Sequence, residues 1–235
     1  IAPDLRGHGD SQWMEGGTYT QLDYVYDIAQ LLHQKDMRQV TIIGHSLGGS
    51  ISLSYASVYP DNVKKLVAIE GLGPSPSMQE KIMVKPIGDR IRDWMGDLRK
   101  SSGRSALRYP TLGDAFQRMQ DENPHLSEAQ ARHLTIHGSN QNEDGTFSWK
   151  FDNYVRFFAF SGLHSNDLKK LWGDIKCPTL LVRGIESWAS DPVADGRTEH
   201  FSCPIEVEAF EKAGHWVHHD QLEGFVRRVR TFLAD

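Results

Sequence analysis

The chain has 235 residues, with 26 Lys and Arg against 31 Asp and Glu, a formal net charge of −5. Hydrophobic residues at 39% and charged residues at 24% are ordinary soluble globular values, and 21 Gly and 10 Pro exclude collagen-like and low-complexity classes. The longest apolar runs, such as VTII and TLLV, fall far short of the roughly 20 residues a membrane-spanning helix needs, and a mildly acidic chain is a poor general binder of nucleic acid. Two cysteines, Cys177 and Cys203, each precede a proline. They are too few for a disulfide framework and form no metal-type pair, so reduced structural thiols are expected. No targeting segment is visible, and a cytoplasmic location is expected.

In chain order, Ile1–Pro3 reads as a strand, followed by a glycine-rich loop at 4–11 (DLRGHGDS). Thr20 is placed to cap a helix whose apolar positions Leu22, Val25, Ile28, Ala29, Leu31 and Leu32 fall at helical spacing. The run Val40–Ile43 predicts a parallel strand buried on both faces. It ends in GHSLGG (44–49), and a second helix follows, closed by Pro60. Further strands are predicted at Val63–Ile69, ended by Glu70-Gly71, at Thr179–Val182, ended by Arg183-Gly184, and at Ile205–Phe210. An amphipathic helix over Leu222–Leu233 closes the chain. This alternation predicts an α/β fold with a mostly parallel sheet.

The middle, about 75–170, breaks the rhythm. After GPSPS, helices are predicted near 79–100, 111–121, 127–136 and 152–161, with NEDG (142–145) turning between two short extended pieces. The basic stretch between Glu80 and Arg108 reads as a solvated helical surface. Half of the residues from Phe147 to Phe160 are Phe, Trp or Tyr, which predicts core for this inserted region and some lining for an apolar substrate pocket.

Chemistry concentrates in Gly44-His45-Ser46-Leu47-Gly48, a G-x-S-x-G pattern between a buried strand and a helix. That is the context a nucleophile elbow requires. So tight a turn forces Ser46 into a strained backbone conformation and projects it from the C-terminal edge of the sheet. The amide of Leu47 faces the same space and is one expected oxyanion donor, helped by the positive end of the helix dipole. A serine nucleophile needs a base. Among eleven histidines, His215 (in KAGHWVHH) follows a strand and a glycine, downstream of the serine. His218 and His219 read as surface residues, His45 as a packing or pocket-wall residue, and His8 as a loop hydrogen-bonder.

Two carboxylates qualify as the acid that orients the base. Glu70 ends the strand next after the nucleophile strand, where a carboxylate following LVAI wants a partner. Asp191 lies past the TLLVRG strand, the place chain order favours, but Asp191-Pro192 also fits a plain helix start. Glu70 is slightly preferred.

The segments PDLRGHGDS, GHSLGG, LVAIEGLGP, TLLVRG and AGHWVHHDQLEGF, in this order, resemble the α/β-hydrolase superfamily of cap-bearing, lipase- and esterase-like enzymes. ENPHLSEAQARHL and NEDGTFSWKFD are similar to its serine-hydrolase-like branch. The resemblance implies Ser46 as nucleophile, His215 as base and an acid at either Glu70 or Asp191. It implies a core of residues 1–74 and 171–235 and a helical cap of 75–170 over Ser46. It also implies three strands and an oxyanion loop ahead of the segment matching IAPDLRGHGDS, so N-terminal strands are expected to be missing.

The expected function is hydrolysis of carboxylic esters or thioesters through an acyl-enzyme, on a small molecule with an apolar part and without a cofactor or metal. A serine-dependent C–C bond hydrolase, an amidase and a non-catalytic scaffold on the same fold are the alternatives.

Overall fold

The computed structural model describes residues 1–14, 19–102, 106–156, 163 and 165–234. Their elements, in chain order, are α1 (Gln21–Gln34), β1 (Val40–His45), α2 (Leu47–Val58), β2 (Val63–Ile69), α3 (Pro76–Val84), α4 (Ile87–Ser102), α5 (Leu112–Glu122), α6 (Glu128–Gly138), β3 (Ser139–Gln141), β4 (Phe147–Trp149), α7 (Ser165–Gly173), β5 (Thr179–Gly184), β6 (Ile205–Phe210), α8 (Val217–Asp220) and α9 (Leu222–Ala234). They form two units. One is built from residues 21–86 and 162–235, the other from 1–20 and 87–161.

The first unit holds a four-stranded sheet in the order β1-β2-β5-β6, all neighbours parallel. In β2 and β5 nearly every residue is buried, as a sheet covered on both faces requires. Val67 and Ile69 of β2 and Leu180 and Val182 of β5 point to one face. There they join Val217 of α8 and Val229 and Phe232 of α9 in a single apolar cluster. Alternate residues Leu66, Ala68 and Leu181 are also buried, and α2, with Ile51, Leu53 and Tyr55 buried, packs on β1 and β2. Each such side chain contributes about 1.5–3 kcal/mol on burial.

Two strand expectations need correction. β1 pairs only with β2 among the described residues, so it is an edge: Thr41 is exposed and Ile43 is 50% exposed, rather than both faces being covered. Ile1–Pro3 form no strand, and Ile1 is 85% exposed. A strand exists only where a neighbour completes its ladder, and Pro3 has no N–H to offer one.

In the second unit the helices start where local chemistry directs. Thr111 and Asp114 form a reciprocal capping box at α5, and Ser127 and Gln130 form another at α6. The NEDG turn joins β3 to β4 as an antiparallel hairpin, as its sequence predicts. The region predicted as one helix over 79–100 is two, α3 and α4, because Pro86 disfavours helical backbone at Lys85 before it. At 153–156 there is a single 3₁₀ turn. The rest of the helix expected there, and the aromatic residues Phe157, Phe158 and Phe160, lie outside the described residues.

The unit boundaries fall at 87 and 161 rather than 75 and 170, and the N-terminal 20 residues join the helical unit. A short backbone zipper explains the second point. Gly9 N donates to Lys150 O (2.7 Å), Asp152 N donates to Gly7 O (2.8 Å), and His8 bridges to Phe151. Tyr19 is buried and its hydroxyl donates to Asp152 (2.7 Å); burial first, and that carboxylate second, push the phenol up to about 12. Among the described residues, no helix is long and apolar enough to cross a membrane.

Candidate active site

Three strand ends build the site. β1 ends at His45, β2 at Ile69 and β5 at Gly184, on adjacent parallel strands, so Ser46, Glu70 and Gly184 leave the same edge of the sheet. Ser46 N donates to Ile69 O (2.8 Å) and Glu70 N to Val182 O (2.8 Å), which fixes the first residue past each strand. The loop after β6 delivers His215 to the same edge.

Ser46 has φ 53° and ψ −115°, a conformation that costs an L-residue about 1–3 kcal/mol and persists only where surroundings impose it. The imposing contact is the closeness of strand and helix. A Cβ on Gly44 would lie 2.4 Å from Gly48 O, and one on Gly49 would lie 2.8 Å from Gly71 Cα. Leu47 is the first residue of α2, where the helix leaves its N–H without an intrahelical partner.

Ser46 Oγ lies 2.9 Å from His215 Nε2, and His215 Nδ1 lies 3.3 Å from Glu70 Oε2. The Glu70 side chain is fully buried, and two further donors meet it: Gly184 N to Oε1 at 2.8 Å and Ser187 Oγ to Oε2 at 2.6 Å. Ser187 Oγ in turn accepts from Ala189 N (3.2 Å). A buried carboxylate without such donors would cost several kcal/mol. With Nδ1–H donated to Glu70, Nε2 carries the lone pair that faces the serine hydroxyl.

Asp191 goes elsewhere. Its Oδ2 pairs with Arg183 at 3.4 Å, and its Oδ1 accepts from Val193 N at 2.9 Å, capping the turn that follows. His8 Nδ1 lies 3.1 Å from Arg6 O, in the other unit.

Some contributors have no sequence signal of their own. Ser187 is one serine among several, and only the fold shows that it reaches Glu70. Its loop is pinned by Arg197, 3% exposed, which donates to Gly73 O (3.1 Å) and Ser190 O (3.1 Å) and chelates Asp195 (3.0 Å). Burial pushes the Asp195 carboxyl up, but the Arg197 and Ser190 bonds outweigh it and hold the group below its usual range. Trp188 lies on the same loop, its ring 5.2 Å from that of His215.

His45 has more to do than line a wall: its Nε2–H donates to the backbone carbonyl of His215 (2.8 Å), bracing the loop that carries the imidazole. Burial, the largest cause, pushes its pKa down, although that bond opposes the shift.

His218 is a correction. Rather than lying at the surface, it is half-buried, its Nδ1 is buried without a hydrogen-bond partner among the described residues, and its ring packs 4.7 Å from His45 and 6.1 Å from Phe225. The four-residue α8 turns it inward. Burial, then the neighbouring rings of His45, His219 and His215, push its pKa down from 6.5 to about 4. The folded state therefore keeps His218 neutral where the unfolded chain would bind a proton. Stability is full above pH 6.5 and is lost as pH falls toward about 4. Melting temperatures measured from pH 7 to pH 4 should decline, and His218→Phe should decline less steeply. An unchanged slope would remove His218 as the cause.

The family model of the alpha/beta hydrolase fold matches residues 1–222. The chain belongs to the α/β-hydrolase family. This hydrolase is 28% identical over 240 residues to an esterase of Mycobacterium tuberculosis, covering 99% of this chain and 74% of the relative. It is 27% identical over 234 residues to a 2-hydroxy-6-oxo-2,4-heptadienoate hydrolase of Pseudomonas putida, covering 100% and 78%. The crystal structure of E-2-(acetamidomethylene)succinate hydrolase shares the hydrolase's fold with a TM-score of 0.77 at 24% identity, over 99% of this chain and 80% of that one.

Proposed function

We propose that this hydrolase cleaves carboxylic esters or thioesters, using Ser46 as nucleophile, His215 as general base and Glu70 as the carboxylate that orients the base. The observation that carries the reading is the continuous path from Ser46 Oγ through both ring nitrogens of His215 to Glu70, at 2.9 and 3.3 Å.

His215 Nε2 takes the hydroxyl proton as Ser46 Oγ attacks the carbonyl carbon. Negative charge develops on the carbonyl oxygen near the Leu47 N–H and the positive end of α2. Glu70, held by Gly184 and Ser187, fixes the tautomer and stabilises the imidazolium. The imidazolium gives its proton to the leaving oxygen or sulfur as that bond breaks, leaving an acyl group on Ser46. Water, deprotonated by the same Nε2, releases the acid. Every proton and electron pair moves between substrate, water and these three side chains.

Rapid mixing with a p-nitrophenyl ester tests this reading. A burst of one nitrophenolate per chain, with a matching acyl mass on the peptide bearing Ser46, is expected. Turnover with no acyl-enzyme under any rapid-quench condition would contradict it.

A second reading keeps the same three residues and changes the bond. The substrate named for the Pseudomonas putida relative is a keto acid without an ester, and hydrolysing such a compound breaks a C–C bond. Turnover of vinylogous 1,5-diketones but not of esters would favour it.

A further inference from the structure

Cys177 and Cys203 lie 26 residues apart in sequence, yet the sheet brings them together. β5 and β6 pair in parallel with Thr179 opposite Ile205, and Thr179 N donates to Pro204 O (3.0 Å). Cys177 and Cys203 each lie two residues before these first paired positions, in the bends that lead into β5 and β6.

Side-chain contacts place both sulfurs around one hydroxyl. Cys203 Sγ is 3.9 Å from Thr179 Oγ1, and the Cys177 thiol also engages that group. Thr179 Oγ1 donates to Cys177 O (3.1 Å). Cys177 is buried, Cys203 is partly exposed, and both are reduced in this structure. One thiol is thus open to a reagent, with a second waiting behind it.

We propose that Cys177 and Cys203 form a reversible dithiol–disulfide site across the starts of β5 and β6, oxidised by low-molecular-weight disulfides. The partly exposed Cys203 Sγ attacks a sulfur of the small disulfide, its S–S bond breaks, and one small thiol leaves. Cys177 Sγ then attacks Cys203 Sγ and expels the second. The two cysteines are oxidised and the small disulfide is reduced, the two cysteine protons ending on the two released thiols. The new bond would lie before the starts of β5 and β6, at the edge of the sheet opposite Ser46, and closes the segment between the two cysteines. It constrains the unfolded chain without reaching the site.

The purified chain is incubated with oxidised glutathione and followed by intact mass, thiol titration in denaturant and thermal melting. The expected product has lost two hydrogens, has no free thiol, yields joined peptides containing Cys177 and Cys203, and melts about 5 °C higher. Dithiothreitol reverses each change, and Cys203→Ser shows none of them. Glutathione retained on either cysteine, or a bridge that forms only in urea, would overturn the proposal.

Discussion

Ser46→Ala should lower kcat for a p-nitrophenyl ester by about 10⁴-fold or more, with the far-ultraviolet circular dichroism unchanged. The size follows from how such a site works. In the proposed mechanism His215 and Glu70 act only through the serine oxygen, so removing that atom removes the contribution of all three. What survives is binding and whatever stabilisation the Leu47 amide gives an attacking water. Because Ser46 sits at φ 53° within close approaches that Gly44 and Gly49 permit, the smaller side chain leaves the elbow in place. Turnover within tenfold of the parent would mean that another group forms the covalent bond.

Glu70→Gln and Asp191→Asn, assayed side by side, should behave very differently. Glu70 is fully buried and accepts from Gly184, Ser187 and His215. A glutamine there presents one oxygen and one amide to three donors. It no longer holds the imidazole with Nε2 free to accept, and the imidazolium loses its counter-charge. A loss of about 10⁴-fold in kcat is expected. Asp191 pairs with Arg183 at 3.4 Å and caps a turn, so Asp191→Asn should cost about 1 kcal/mol or less of stability and leave kcat within about twofold. A dead Asp191→Asn beside an active Glu70→Gln would reverse the assignment.

The sequence carried the sheet well because LVAI in β2 and TLLV in β5 are short apolar runs with no competing periodicity. It carried the elbow because Gly-x-Ser-x-Gly between strand and helix has one strong structural meaning. It left Glu70 and Asp191 unresolved, since both follow strands at the same edge. Only the register showed that Glu70 leaves the strand beside Ser46, and only the loop path showed that Ser187 supports it. The composition of β1 predicts burial on both faces, which an edge strand does not have. Burial depends on neighbours, and composition does not reveal those. The same holds for His218, whose neighbours are set by a four-residue turn, and for Cys177 and Cys203, which are adjacent only once β5 and β6 are paired.

The most direct measurement is labelling with a fluorophosphonate, which phosphonylates an activated serine and mimics the tetrahedral state. Peptide mass spectrometry of the labelled chain should place one adduct on Ser46, and His215→Ala should slow that labelling by about 10³-fold or more. An adduct on any other residue, or equal labelling in His215→Ala, would contradict the account.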